Sequence, residues 1–102
     1  MIKLLANKKP IDKVNIFRIN NKELNQELIQ AKGIMNNYLK DKPFNVDIFE
    51  YSDDIINVRG ITPSRKQAFT IQVKKGEDTP FLRKIYKAID TLNKSFELKK
   101  IR

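Results

Sequence analysis

The most regular alternation of apolar and polar positions in this chain lies between residues 55 and 75. Apolar residues occupy every second position from Phe69 to Val73, and the run 55–61 alternates in a similar way. A repeat of two residues is typical of a strand with one buried face. The residues between the two runs, Thr62–Gln67, include a proline and a serine, which favour a turn. The segment therefore predicts a β-hairpin whose tip is Thr62–Gln67.

Two other segments repeat their apolar residues every three or four positions, as amphipathic helices do. The first runs from Lys22 to Lys40, and Asn20 with Glu23 predicts a capping box at its start. The second is predicted for residues 80–94, and the tail 96–102 is either a last short strand or a frayed end.

Gly33 interrupts the first helical pattern and leaves two interpretations open. A glycine inside a helix costs about 1 kcal/mol relative to alanine, so we expect a structural reason for it. One interpretation is a helix-turn-helix, with helices at Glu23–Gln30 and Ile34–Leu39 joined by a bend at Ala31–Gly33. The other is a single helix that tolerates the glycine.

Shorter runs rich in β-formers predict strands at Val14–Ile19 and Phe44–Tyr51, with a further candidate at Ile2–Ala6. Ser52–Asp54 is a polar turn. Together these elements predict an α+β fold, winged-helix-like, in which helices pack on an antiparallel sheet and the basic hairpin forms the wing. A length of 102 residues fits one domain, residues 1–102.

The charge of the chain is strongly positive and unevenly placed. Lys and Arg number 21 against 12 Asp and Glu, which gives a net charge of +9. Segment 41–54 holds five acidic residues, whereas segment 55–75 holds five basic residues and no acidic one. Because a basic surface favours polyanions, this concentration on the hairpin predicts nucleic acid as the partner.

The composition also excludes several kinds of chemistry. The chain has no cysteine and no histidine, so disulfides, zinc fingers and histidine acid–base catalysis are excluded. Its three glycines lie far apart and form no phosphate-binding loop. We therefore expect no enzyme activity, no cofactor and no metal. No apolar run is long enough for a membrane span or a signal peptide, which predicts a cytoplasmic protein.

The predicted DNA-binding residues are basic and polar side chains of the hairpin, together with two lysines at the end of the first helix. Arginine suits bidentate contacts, asparagine and glutamine suit adenine, and lysine suits phosphate. The alternative is a solvated edge whose cations only discourage aggregation. The residues are Asn57, Arg59, Ser64, Arg65, Lys66, Gln67, Gln72, Lys74, Lys75, Lys40 and Lys42.

The apolar stripe of the last helix also has two interpretations. It packs against the sheet at least in part, and its heptad spacing also fits a homodimer contact. A dimer would double the basic surface and set a half-site spacing. The stripe consists of Leu82, Ile85, Ile89, Leu92 and Phe96.

A helix-turn-helix candidate at Glu23–Leu39 followed by a basic hairpin resembles the winged helix-turn-helix family over residues 14–75. More particularly, the chain is similar to small accessory DNA-binding proteins of conjugative plasmids, which mark a transfer origin or an operator. The resemblance implies sequence-specific binding of double-stranded DNA, with a role in conjugation or transcription regulation. At the recognition-helix position, Ile34–Lys42, the only basic residues are Lys40 and Lys42. We therefore expect the hairpin to bear most of the contact.

Two alternatives remain. The order helix, three strands, helix is also that of double-stranded RNA-binding domains, which place a basic cluster near the start of their second helix. Here Arg83, Lys84 and Lys87 occupy that position. The other alternative is a viral or plasmid protein–protein interaction module whose basic patch docks an acidic protein.

Overall fold

The computed structural model describes residues 12–76 and 79–101, with the side chains of 99–101 left out. Within these residues the helices and strands follow in the order β1 (Val14–Phe17), α1 (Lys22–Leu39), β2 (Asn45–Ser52), β3 (Ile55–Ile61), β4 (Ala68–Lys74) and α2 (Phe81–Ile101). The prediction of an α+β fold is confirmed. The candidate strand Ile2–Ala6 lies outside the described residues.

The four strands form one sheet in the order β1-β2-β3-β4. β2, β3 and β4 are antiparallel, as predicted, but β1 pairs with β2 in parallel. The sheet is therefore mixed, and the prediction of a purely antiparallel sheet is wrong. A parallel pair needs a long connection, and α1 provides it.

The start of α1 differs from the predicted capping box. Asn21 caps the helix, because its Oδ1 accepts a hydrogen bond from the amide of Leu24 at 3.1 Å. The amide of Asn20 instead donates to Glu50 Oε1 on β2 at 2.9 Å. Asn20 thus ties the β1–α1 connection to the sheet, and the capping box with Glu23 is wrong.

α1 continues through Gly33 without a turn. The single-helix interpretation is confirmed and the helix-turn-helix interpretation is wrong. A side chain at Gly33 would meet nothing within 4 Å, so packing inside the chain does not require the glycine. Because α1 is one continuous helix, the predicted winged-helix arrangement is not confirmed.

Both helices cover the same face of the sheet and enclose one core. On β2 and β3 the residues that point to the helices, such as Val46, Ile48 and Val58, are fully buried. Gly60 belongs to this face, and a Cβ there would lie 2.9 Å from the ring of Phe96 on α2. Phe96 in turn stacks on Phe44, with ring centroids 4.5 Å apart. The side chains of α2 therefore occupy the space that a side chain at Gly60 would need.

The stripe of α2 belongs to this core. Ile85, Ile89, Leu92 and Phe96 are all buried, and Leu82 is half-buried against them. The core-packing interpretation of the stripe is therefore confirmed, and side chains enclosed in this way leave little apolar surface on the stripe for a second copy.

Two element ends also differ from the prediction. α2 continues to Ile101, so a short strand in the tail is wrong. β1 ends at Phe17 because Arg18 takes a left-handed backbone conformation with φ 54°, which cannot continue a strand. No helix in the described part of the chain is long and apolar enough to cross a membrane.

Candidate nucleic-acid interface

The β3–β4 hairpin forms as predicted, with its tip at Thr62–Gln67. Thr62 closes the tip: its amide donates to the carbonyl of Gln67 at 3.0 Å, and its Oγ1 accepts from the amide of Gln67 at 3.2 Å. Ser64, Arg65 and Lys66 are exposed, whereas Gln67 is half-buried. The tip therefore offers two free cations to solvent.

Arg65 adopts a backbone conformation that is unusual for its type. Its φ is 64°, in the left-handed region that favours glycine. Its amide donates to the carbonyl of Thr62 at 2.8 Å, which completes the turn. The strained position places a long basic side chain at the exposed tip of the hairpin.

The strand residues of the predicted site lie on the open face, which we define as the side of the sheet opposite the two helices. By strand register it includes Asp47 and Phe49 on β2, Asn57 and Arg59 on β3, and Gln72 and Lys74 on β4. Gln72 and Lys74 are exposed, as a binding residue needs to be. Asn57 and Arg59 are less exposed than Gln72 and Lys74.

Arg59 is held by neighbouring strands. Its Nη2 donates to Asp47 Oδ2 at 2.8 Å, and its guanidinium lies 5.3 Å from the ring centroid of Phe49. Asn57 beside it is only 9% exposed, and its Oδ1 is buried without a hydrogen-bond partner among the described residues. Asn57 is enclosed, and the charge of Arg59, whose side chain is 40% exposed, is paired with Asp47, so we remove both from the candidate site.

A basic groove lies between β4 and α2, with a volume of about 660 Å³. Among the described residues that line it, four are cationic and none is acidic. Lys84 Nζ donates to the carbonyl of Lys74 at 2.9 Å and so bridges its two walls. The lining residues are Ile71, Gln72, Val73, Lys74, Thr79, Arg83, Lys84, Lys87, Ala88 and Thr91.

Three of the groove cations, Arg83, Lys84 and Lys87, were not among the predicted site residues. The sequence placed them off the apolar stripe of a helix, but only the packing of α2 beside β4 brings them to Lys74. The first turn of α2 contains no acidic residue. Cations at a helix N-terminus do not favour the helix dipole, so helix stability does not account for Arg83 and Lys84.

The remaining predicted residues lie apart from the groove. Lys40 and Lys42 follow α1 and are absent from the groove lining. The ammonium of Lys42 lies 5.0 Å from the ring centroid of Tyr38 and 3.9 Å from Asp41. Lys75 is exposed at the end of β4, where its amide donates to the carbonyl of Asp54 at 2.8 Å.

Close to Lys42, burial lowers the pKa of the Lys13 amine, whose Nζ donates a hydrogen bond to the Lys42 carbonyl. Lys13 and Lys42 thus make internal contacts at this end of α1, whereas Lys40 is exposed.

The described residues contain no group of three or more acidic side chains placed to hold a metal ion. Comparisons with protein-family models, with curated proteins and with solved structures gave no significant match to this chain.

Proposed function

We propose that this protein is a non-enzymatic nucleic-acid-binding protein that contacts the sugar–phosphate backbone through the basic groove and the hairpin tip. The observation that carries the proposal is a groove of about 660 Å³ whose described lining residues include Lys74, Arg83, Lys84 and Lys87 and no acidic one. Lysine and arginine side chains grouped in this way supply the phosphate contacts that dominate nucleic-acid affinity.

β4 connects the two parts of the proposed surface, the basic groove and the hairpin tip. β4 forms one wall of the groove and leads directly from the tip, so Arg65 and Lys66 extend the same line of positive charge. The N-terminal end of α2 adds a partial positive charge from its backbone to the groove. About six cations then neutralise about six phosphates, which corresponds to a log–log salt slope of roughly −5 on duplex DNA.

Within this class, sequence-specific binding of double-stranded DNA in the cytoplasm, at a plasmid transfer origin or operator, is the narrower proposal. It rests on the basic hairpin, which is the part of the resemblance to accessory DNA-binding proteins that remains once α1 is a single helix. Gln72 and Lys74 are the exposed strand residues that would face the DNA in that arrangement.

Double-stranded RNA is the second candidate ligand, and a specific observation favours it. α1, the antiparallel strands β2–β4 and α2 follow in the order of double-stranded RNA-binding domains, and both helices pack on one face. Arg83, Lys84 and Lys87 occupy the first two turns of α2, the position of the basic cluster in those domains.

Fluorescence anisotropy tests both candidate ligands, DNA and RNA. It compares duplex DNA, duplex RNA and single strands of one sequence over a range of salt concentrations. Replacing Arg83 and Lys87 by alanine should flatten the salt slope by about two units. The matched control, Lys40→Ala with Lys42→Ala, removes the same charge from the end of α1 and should leave the slope unchanged. Absence of binding at low salt, or loss of binding in the control pair alone, would overturn the proposal.

A further inference from the structure

The exposed side of α1 carries a patch that is poor in charge, in a chain that is otherwise rich in it. Seven of the eight exposed residues between positions 26 and 38 have no charge and the eighth is Glu27, although 32% of all residues are charged. Two of them are large and apolar: Ile29 is 56% exposed and Ile34 is 66% exposed. We call these residues the α1 patch: Gln26, Ile29, Gln30, Gly33, Ile34, Asn37 and Tyr38.

The patch has a concave and a convex part. A groove of about 260 Å³ runs along one side of it, lined by Ile34, Met35, Tyr38, Tyr86, Ile89 and Asp90. At the middle of the α1 patch, Gly33 exposes helix backbone, and nothing lies within 4 Å of the position a Cβ would take. A helix without a side chain at its midpoint lets another helix approach closely, with Ile29 and Ile34 protruding on either side.

The charge of the molecule indicates which kind of partner would cover the α1 patch. Nucleic acid, an acidic membrane surface or an acidic protein would be held by cations, and the α1 patch has none. Two copies of this chain, each with a net charge of +9, repel one another over most of their surfaces. Because the α1 patch has no cation, and the acidic residues Glu27 and Asp90 lie beside it, it is where two copies meet with the least repulsion.

We infer that the α1 patch is the contact of a symmetric homodimer, in which two α1 helices cross near Gly33. In a two-fold dimer the same patch serves both copies, so it must present both protruding and receding parts. The α1 patch does so: Ile29 and Ile34 protrude, and Gly33 and the neighbouring groove recede. This contact replaces the α2 stripe, whose side chains are buried in the core. It does not depend on the proposed nucleic-acid function.

The absence of cysteine from the chain permits a direct test. A disulfide requires two Cα atoms within about 7 Å, so Gly33→Cys reports whether two copies meet at that position. We expect the oxidised variant to migrate as a covalent dimer on a non-reducing gel. The matched control is Leu98→Cys, because Leu98 on α2 is 66% exposed, the same fraction as Ile34. On the same non-reducing gel, the Leu98→Cys variant should migrate as a monomer.

The mass of the untagged chain, measured by light scattering from low micromolar to submillimolar concentration, completes the test. The wild type should shift from monomer to dimer mass. Ile34→Gln should raise the dissociation constant by about tenfold or more, since each copy loses a buried apolar side chain. Leu98→Gln should leave it unchanged. A monomer mass at every concentration, or equal cross-linking of the Gly33 and Leu98 variants, would overturn the inference.

Discussion

Gly60 is the residue on which the approach of α2 to the sheet depends. A Cβ at this position would lie 2.9 Å from Phe96 and 3.3 Å from both Leu92 and Phe44. All three neighbours are buried side chains that have little room to move.

We therefore expect Gly60→Ala to lower the free energy of unfolding by about 1–3 kcal/mol, as overpacking does. Gly33→Ala is the contrasting variant. It should raise the unfolding free energy by about 0.5–1 kcal/mol, because Gly33 is helical and its Cβ would meet open space. Urea denaturation at low protein concentration measures both. Equal effects of the two substitutions would show that α2 does not pack on β3 as described.

Asn57 is the other residue whose environment makes a measurable prediction. Its Oδ1 is buried without a partner among the described residues, which costs stability. Asn57→Val should raise the free energy of unfolding by about 1 kcal/mol, because it removes that buried group and favours the strand. Gln72→Val, opposite on β4 and exposed, should change it by less than about 0.5 kcal/mol. A clear loss of stability in Asn57→Val would mean that its amide is hydrogen-bonded in solution.

These residues also show where sequence reasoning succeeded and where it ended. The period of two correctly placed Asn57 and Arg59 on the face opposite Val58. It did not reveal that Asp47 and Phe49 on the next strand hold Arg59, because that contact depends on the register between β2 and β3. The same limit applied to Arg83 and Lys87, which reach the site only through the packing of α2 beside β4.

At the scale of elements, local signals predicted most of the structure. The hairpin was found with its tip, because alternation and turn residues lie within one short segment. The parallel pairing of β1 with β2 was missed, since it joins residues about thirty positions apart and leaves no local pattern. The α2 stripe was ambiguous for a related reason: apolar heptad spacing is the same whether the partner is the chain's own sheet or another copy.

The hairpin tip combines a strained backbone with a free cation, and this gives a prediction for the element. Arg65→Gly should raise the free energy of unfolding by about 1 kcal/mol, because glycine adopts φ 64° without strain. The same substitution should flatten the salt slope of nucleic-acid binding by about one unit, because one phosphate contact is lost. Thermal unfolding and anisotropy measure the two effects. A stabilised variant with unchanged binding would place the tip outside the interface.

At the scale of the whole molecule, the basic groove and the α1 patch use different surfaces. The groove lies between β4 and α2, whereas the patch lies on the outer side of α1. A dimer formed through α1 would therefore keep both grooves free. A nucleic acid long enough to reach both grooves would be held at two places, and its affinity would exceed that of a short one without any new kind of contact.

We expect the wild type, at concentrations where it is dimeric, to bind a long ligand about a hundredfold more tightly than one that reaches a single groove. Ile34→Gln should lose this advantage of length while keeping the affinity and salt slope of a single copy, because it changes neither the groove nor the net charge. Leu98→Gln serves as the matched control and should behave as the wild type does. Anisotropy with short and long ligands at one salt concentration measures the ratio. If Ile34→Gln keeps the full length advantage, the two grooves do not act through a dimer of α1.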